Sequence, residues 1–215
     1  MRVLVIGANG QIGRHVVRML GLSPEHEVNA MIRKEEQRKD MEELGADHIT
    51  IGDLEQDFSH AYNGMDAVIF TAGSGGHTSK EQTEVIDRKA AQQAVDEARK
   101  SDVTRFVMIS SIMADEAESA PDNIKHYMQA KLAADEHLIE SGLVYTIIRP
   151  GPLTNDAARG TIHAVKKLDN YDGSVPREDV AATAVNSLTL KETENVIFEM
   201  MTGDVPVGEA LKNLK

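Results

Sequence analysis

The opening stretch "MRVLVIGANGQIGRHVVRML" confines this chain more tightly than any other part of it. Residues 2–7 are an apolar, β-branched run that passes without a linker into glycines at 7, 10 and 13, and a helical pattern follows from residue 11. A chain leaving a strand this way must turn sharply. Gly7 permits the exit, Gly10 lets backbone approach a pyrophosphate, and Gly13 brings the helix close to the sheet. The helix N-terminus then offers unbonded N–H groups to the anion. The G-x-x-G-x-x-G spacing differs from the G-x-G-x-x-G dinucleotide fingerprint, but it occupies the place that fingerprint demands, between the first strand and the first helix. Gly7, Asn9, Gly10, Gln11, Ile12 and Gly13 are therefore the expected phosphate-side residues.

Six further strand candidates follow: 27–33, 48–52, 66–73, 105–111, 144–150 and 195–201. Most are apolar on both faces, as strands buried in a parallel sheet are. Helical patterns fill 11–22, 34–44, 79–101, 121–142 and 178–189, with a short one at 206–214 and an irregular stretch at 154–173. The alternation predicts an α/β fold with a doubly wound parallel sheet. At 215 residues we expect one domain, a dinucleotide-binding core over 1–152 with a small substrate-side segment over 153–215. The balance of 35 acidic to 23 basic residues, net −12, disfavours a nucleic-acid partner. Without cysteine there are no disulfides, thiolate metal sites or thiol nucleophiles. The eight histidines lack metal-like spacing, so no metal is expected. No apolar run approaches a membrane span and the N-terminal run is too short for a signal peptide, which predicts a cytoplasmic protein. The expected partner is a small-molecule substrate, and the sequence leaves open whether the chain is a monomer or a homodimer.

The choice between NAD and NADP falls at the end of the second strand, where an acid would bond the ribose 2′-OH. Arg33 and Lys34 stand there instead, at a helix start where the macrodipole disfavours cations. A 2′-phosphate explains them and favours NADP; the alternative is a solvated pair offset by Glu35 and Glu36. After the third strand, Asp53 is placed to accept from an adenine amino group with Leu54 packed on the ring, or else Asp53 caps a following short helix. After the fourth, the small residues Thr71, Ala72 and Gly73 let backbone lie against the nicotinamide ribose, unless they form only a flexible loop.

Ligands of open α/β sheets lie beyond the carboxyl ends of the strands. Ser110 and Ser111 end the fifth strand, "RPGPL" at 149–153 ends the sixth, and the helix between carries Tyr127 and Lys131. Positions i and i+4 share a helix face, so both can enter one cleft. A Tyr-x-x-x-Lys arises by chance in about one such chain in five, so its place in the fold gives it meaning. Hydride delivery to a carbonyl builds charge on oxygen; Tyr127 can supply the proton while Ser111 polarises that oxygen. Pulling a phenol from ~10 down three units takes about 4 kcal/mol, and the Lys131 ammonium acts in that direction. Lys131 can also hold the nicotinamide ribose.

These features together resemble the atypical short-chain dehydrogenase/reductases, most closely the small NmrA-like or epimerase/dehydratase-like members. The Gly7–Gly10–Gly13 turn, "RFVMISS", Tyr127-x-x-x-Lys131, "YTIIRPG" and "VPREDVA" carry the resemblance in the family's order, over roughly residues 1–190. It implies a catalytic Ser111, Tyr127 and Lys131, with Ser110 and the backbone from Pro150 to Leu153 along the cofactor. Two departures stand out. Only about 60 residues follow "RPG", which leaves little room for a sugar-nucleotide substrate. Asp87 occupies the place where many relatives carry Asn. The expected function is NADP-dependent reduction of a small carbonyl, quinone or flavin-like acceptor; the alternatives are NADP(H) sensing without turnover and nucleotide-sugar epimerisation or dehydration. Asp115, Glu116 and Glu118 are read as solvated charge or a gate, Arg177 and Asp179 as a helix start, and the methionines as core filler.

Overall fold

In the computed structural model, which describes residues 1–75 and 78–214, the chain threads one nine-stranded sheet. Arg2–Ile6 (β1) is central. It pairs in parallel with Glu27–Ile32 (β2) on one side and Ala67–Phe70 (β4) on the other. His48–Ile51 (β3) closes that edge against β2. Beyond β4 come Arg105–Ile109 (β5), Val144–Pro150 (β6) and, out of chain order, Val196–Thr202 (β10), all parallel. The predicted parallel sheet thus holds for seven strands. Thr161–Val165 (β8) runs antiparallel to β10, and Val205–Pro206 (β11) antiparallel to β8, adding a mixed edge. Leu153–Thr154 (β7) and Val175–Pro176 (β9) form a separate two-stranded parallel pair.

Strand side chains alternate between faces, and here both faces are apolar. Val3 and Val5 of β1 join a core on one face, built with Ile12, Val16, Val17 and Leu20 of helix α1 (Gln11–Gly21) and Val180, Ala181 and Ala184 of α6 (Arg177–Ser187). Leu4 and Ile6 join the other core, with Ala91, Ala94, Val95 and Ala98 of α4 (Ala91–Lys100) and Ala134 and Leu138 of α5 (Asp122–Glu140). Alanine lines α4 where it meets its neighbours, which lets this helix lie close to the sheet. The short helices α2 (Arg38–Glu43) and α7 (Val207–Lys212) lie after β2 and β11. Met108, Met200 and Met201 are buried, as filler.

The helix expected over 79–101 is not uniform. Lys80–Thr83 (α3) is α-helical, Glu84–Ala90 is π-helical, and α4 resumes the regular turn. Tight packing fixes several glycines, and Gly7 and Gly13 show it most clearly. Gly7 has φ +82°, and a Cβ there would lie 2.7 Å from the Ala72 nitrogen of the β4 loop. At Gly13 a Cβ would lie 2.2 Å from the Gly7 carbonyl oxygen.

Candidate active site

At the end of β1 the turn closes through a hydrogen bond from Gly10 N–H to the Gly7 carbonyl at 2.9 Å. Gly10 is the N-cap of α1 and brings no side chain to cap it. The first-turn N–H groups are left facing outward, the arrangement that holds a phosphate. The Thr71 hydroxyl donates to the Ile6 and Gly7 carbonyls at 3.0 and 3.2 Å, tying the β4 loop to this turn. Asn9 is fixed by Arg14, whose guanidinium donates to its Oδ1 at 2.9 Å.

One cleft of about 680 Å³ runs across the carboxyl ends of β1 to β5. Its lining includes fifteen predicted residues: Gly7, Asn9, Gly10, Gln11, Ile12, Arg33, Asp53, Leu54, Thr71, Ala72, Gly73, Ser110, Tyr127, Lys131 and Leu153. Gly13, Lys34, Ser111 and Pro150 lie outside this lining. Gly13 acts through packing, as above. Lys34 is exposed beside Arg33, while Pro150 is buried at the end of β6. Ser111 is one step of strand phase from Ser110: Ser110 and Ile112 keep strand-like bonds to β6, at 2.7 and 3.2 Å, so successive side chains take opposite faces and Ser110 meets the cleft.

Where β2 meets the cleft, the N–H groups of Arg33 and Lys34 both donate to Gln37 Oε1 at 3.1 Å, which shapes the turn after β2. Glu35 pairs with Arg38 rather than with either of these cations. Asp53 caps a turn rather than a helix, its Oδ1 accepting from Glu55 N–H at 3.0 Å and its carbonyl from Gln56 N–H at 2.9 Å.

At the other end, Tyr127 is half-buried and Lys131 nearly fully buried on one face of α5. The Lys131 Nζ lies 5.6 Å from the centre of the Tyr127 ring, 3.4 Å from the Ile109 carbonyl and 3.1 Å from Asp87 Oδ1. Burial opposes the charge on Lys131, but Tyr127, Asp87 and Asp135 outweigh it and hold the ammonium above its ordinary value. Burial also pushes the Tyr127 phenol up; Lys131 pulls it down, and Asp87 and Asp135 push it up again. The net direction is upward. The expected lowering by Lys131 is present but outweighed.

Behind this pair stands a buried network. Asp135 Oδ2 accepts from Ser110 Oγ at 3.0 Å and from Arg149 Nε and Nη2 at 3.1 and 3.0 Å, while its Oδ1 finds no hydrogen-bond partner. Burial lifts its carboxyl to about 6 against the pull of Arg149. Arg149 continues to Asp115 at 3.2 Å, and Asp115 to Lys167 at 3.0 Å. The acidic run is therefore not simply solvated: Glu116 also meets Lys167, at 2.7 Å, and Glu118 meets Lys125, at 2.8 Å. His126 bonds the Lys80 carbonyl at 3.0 Å and does not line the cleft. Asp179 accepts from Arg159 and Gly160 N–H groups, both at 2.9 Å, and so anchors a loop. Arg177 does line the cleft, beside Leu153, a position that sequence alone did not signal because α6 arrives from far along the chain. Among the described residues, no group of three or more His, Asp or Glu side chains could hold a metal, and no helix is long and apolar enough to cross a membrane.

Three comparisons place this geometry among known proteins. The pattern of the NAD(P)H-binding family matches residues 7–191. The uncharacterized sugar epimerase YhfK of Bacillus subtilis (strain 168) is 43% identical, with 100% of both chains covered. Sanguinarine reductase of Eschscholzia californica is 28% identical over 100% of this chain and 94% of that protein. Among solved structures, a Bacillus halodurans protein assigned to the NAD-dependent epimerases/dehydratases superposes with a TM-score of 0.96 at 40% identity, covering 100% of each chain.

Proposed function

This chain belongs to the NAD(P)H-binding family, and on that premise we propose that it is an NADP(H)-dependent oxidoreductase delivering hydride to a small carbonyl, quinone or flavin-like acceptor. The observation that carries the reading is the placement of Tyr127 and Lys131 in the same cleft as the uncapped N-terminus of α1. The chain's groups fit a dinucleotide: Gly10 leaves space where a side chain would crowd a pyrophosphate, Gly7 permits the tight turn packed on Ala72, and the α1 N–H groups are free to donate to its oxygens. When bound, the reduced nicotinamide supplies a hydride. Tyr127 then donates the proton to the oxygen that gains charge, Lys131 stands beside the phenol where it can hold the nicotinamide ribose, and Ser110 is pinned by Asp135. Arg33 faces the adenosine end while Glu35 is engaged by Arg38, which supports a 2′-phosphate and hence NADP over NAD.

The test is NADPH consumption against a panel of carbonyls, quinones and flavins, with wild type beside Tyr127→Phe. A general acid is worth about 10²–10⁴-fold, so Tyr127→Phe is expected to lower kcat by that factor while NADPH still binds. Failure of every acceptor to consume NADPH, despite tight binding, would overturn the proposal in favour of a sensor. The name of the Bacillus subtilis relative supports epimerisation as a second reading. An epimerase regenerates its cofactor each cycle, so a sugar isomerised without net NADPH loss would establish it.

A further inference from the structure

The helix that faces α5 breaks its hydrogen-bond ladder where the two meet. Glu84–Ala90 is π-helical, and such widened turns gather at functional sites because they re-aim a side chain. The side chain here is Asp87, fully buried. Its Oδ2 accepts from the backbone N–H of Ser74 at 3.1 Å and from the Ser74 hydroxyl. Its Oδ1 lies 3.1 Å from Lys131 Nζ without an aligned hydrogen bond, so this contact is a charge pair. Gly73 makes room for it, since a Cβ there would lie 3.2 Å from the same Oδ1. Asn at this place would bring a dipole; Asp brings a full charge against the ammonium.

Other charges around α5 are already engaged. Asp135, on α5 itself, is held by Arg149 of β6, which also reaches Asp115. Glu118 pairs with Lys125 at the surface, His126 bonds the Lys80 carbonyl of α3, and His137 meets Asp96 of α4 at 2.9 Å. Asp87 is thus the carboxylate in direct contact with the Lys131 ammonium.

We infer that Asp87 is a positioning residue that clamps the Lys131 ammonium, cancels its pull on the phenol and keeps Tyr127 protonated, the resting state from which reduction starts. The inference rests on the proton-donor role proposed above for Tyr127. In that direction a carbonyl carbon gains the hydride, the C=O pair moves onto oxygen, and oxygen takes the Tyr127 proton; solvent then reprotonates the phenolate. Alcohol oxidation would need the phenolate at rest, and Asp87 opposes it.

Ultraviolet titration of the phenol tests this without turnover. The wild-type curve minus that of Tyr127→Phe isolates one of the four tyrosines. In Asp87→Asn, compared with its own Tyr127→Phe partner, the midpoint is expected about 1–2 pH units lower, the effect of removing one charge near a titrating group. An unchanged or higher midpoint would overturn the inference. Should Asp87→Asn fail to fold, the charge-balanced Asp87→Asn/Lys131→Gln protein decides: cancellation predicts a midpoint near wild type, whereas a rise of a unit or more overturns it. A shifted phenol in a protein that reduces no acceptor would leave the Asp87–Lys131 clamp standing and remove the function proposed above. Acceptor reduction with an unshifted phenol would do the reverse.

Discussion

A methyl group at Gly13 would sit 2.2 Å from the Gly7 carbonyl oxygen and 2.8 Å from that of Ala8. Both obstacles are backbone, one of them in a turn already held at φ +82°, so relief requires α1 to move off the sheet by about 1 Å. Overpacking of this kind costs roughly 1–3 kcal/mol, and without a side chain to yield the upper figure applies. At about 2–4 °C per kcal/mol for a chain of this size, Gly13→Ala should lower Tm by roughly 6–12 °C. Gly10 offers the contrast. Its φ of −72° suits any residue, and its Cβ would meet only the Gly7 oxygen, at 3.1 Å. Gly10→Ala should therefore shift Tm by less than about 3 °C. The added methyl lies on the cleft, however, where it would hold a pyrophosphate away from the α1 N–H groups. NADPH binding should weaken at least tenfold, about 1.4 kcal/mol. Thermal unfolding by circular dichroism and NADPH titration by calorimetry separate the two effects. Wild-type affinity in Gly10→Ala would refute the phosphate cradle, and an unmoved Tm in Gly13→Ala would refute the packing argument.

Arg33→Ala should weaken NADPH binding by about tenfold or more and NADH binding hardly at all, as loss of a phosphate partner requires; equal losses in a titration of both cofactors would count against the 2′-phosphate assignment. Asp135 gives a pH test. Its folded carboxyl sits at about 6, above the ordinary ~3.9, so its contribution to stability is full below the lower value and is lost as pH rises through the higher one. The Tm of wild type relative to Asp135→Asn should accordingly improve as pH falls from 7.5 to 5, and a flat or opposite trend in paired melts would refute the assignment.

These strands were legible because β-branched runs end at glycines and turns: 144–150 is predicted and found, and 2–7, 27–33 and 48–52 each end one residue early in the structure. β8 was not. "TIHAV" is short, set between Gly160 and two lysines, and its pairing partner β10 lies far ahead in the chain. The π-helical turn was equally hidden, since one widened turn barely disturbs the apolar period of a long helix. At the site, Tyr127 and Lys131 were readable as i and i+4 on one helix. Ser110 and Ser111 were not separable, because a single step of strand phase decides which meets the cleft. The Asp87–Lys131 contact joins two different helices, and its only trace in the sequence was an acid where an amide is usual.

The place of β10 in the sheet also sets an order of assembly. β1 to β4 can pair as soon as Phe70 has been made, so the nucleotide half has its strands early. β8 pairs only with β10 and β11, yet it is made before both. At roughly 5–20 residues per second, the ribosome leaves β8 without a partner and β6 with an open edge for several seconds. During that interval a nascent chain carries an unpaired apolar edge, the kind that chaperones cover and neighbouring chains can capture.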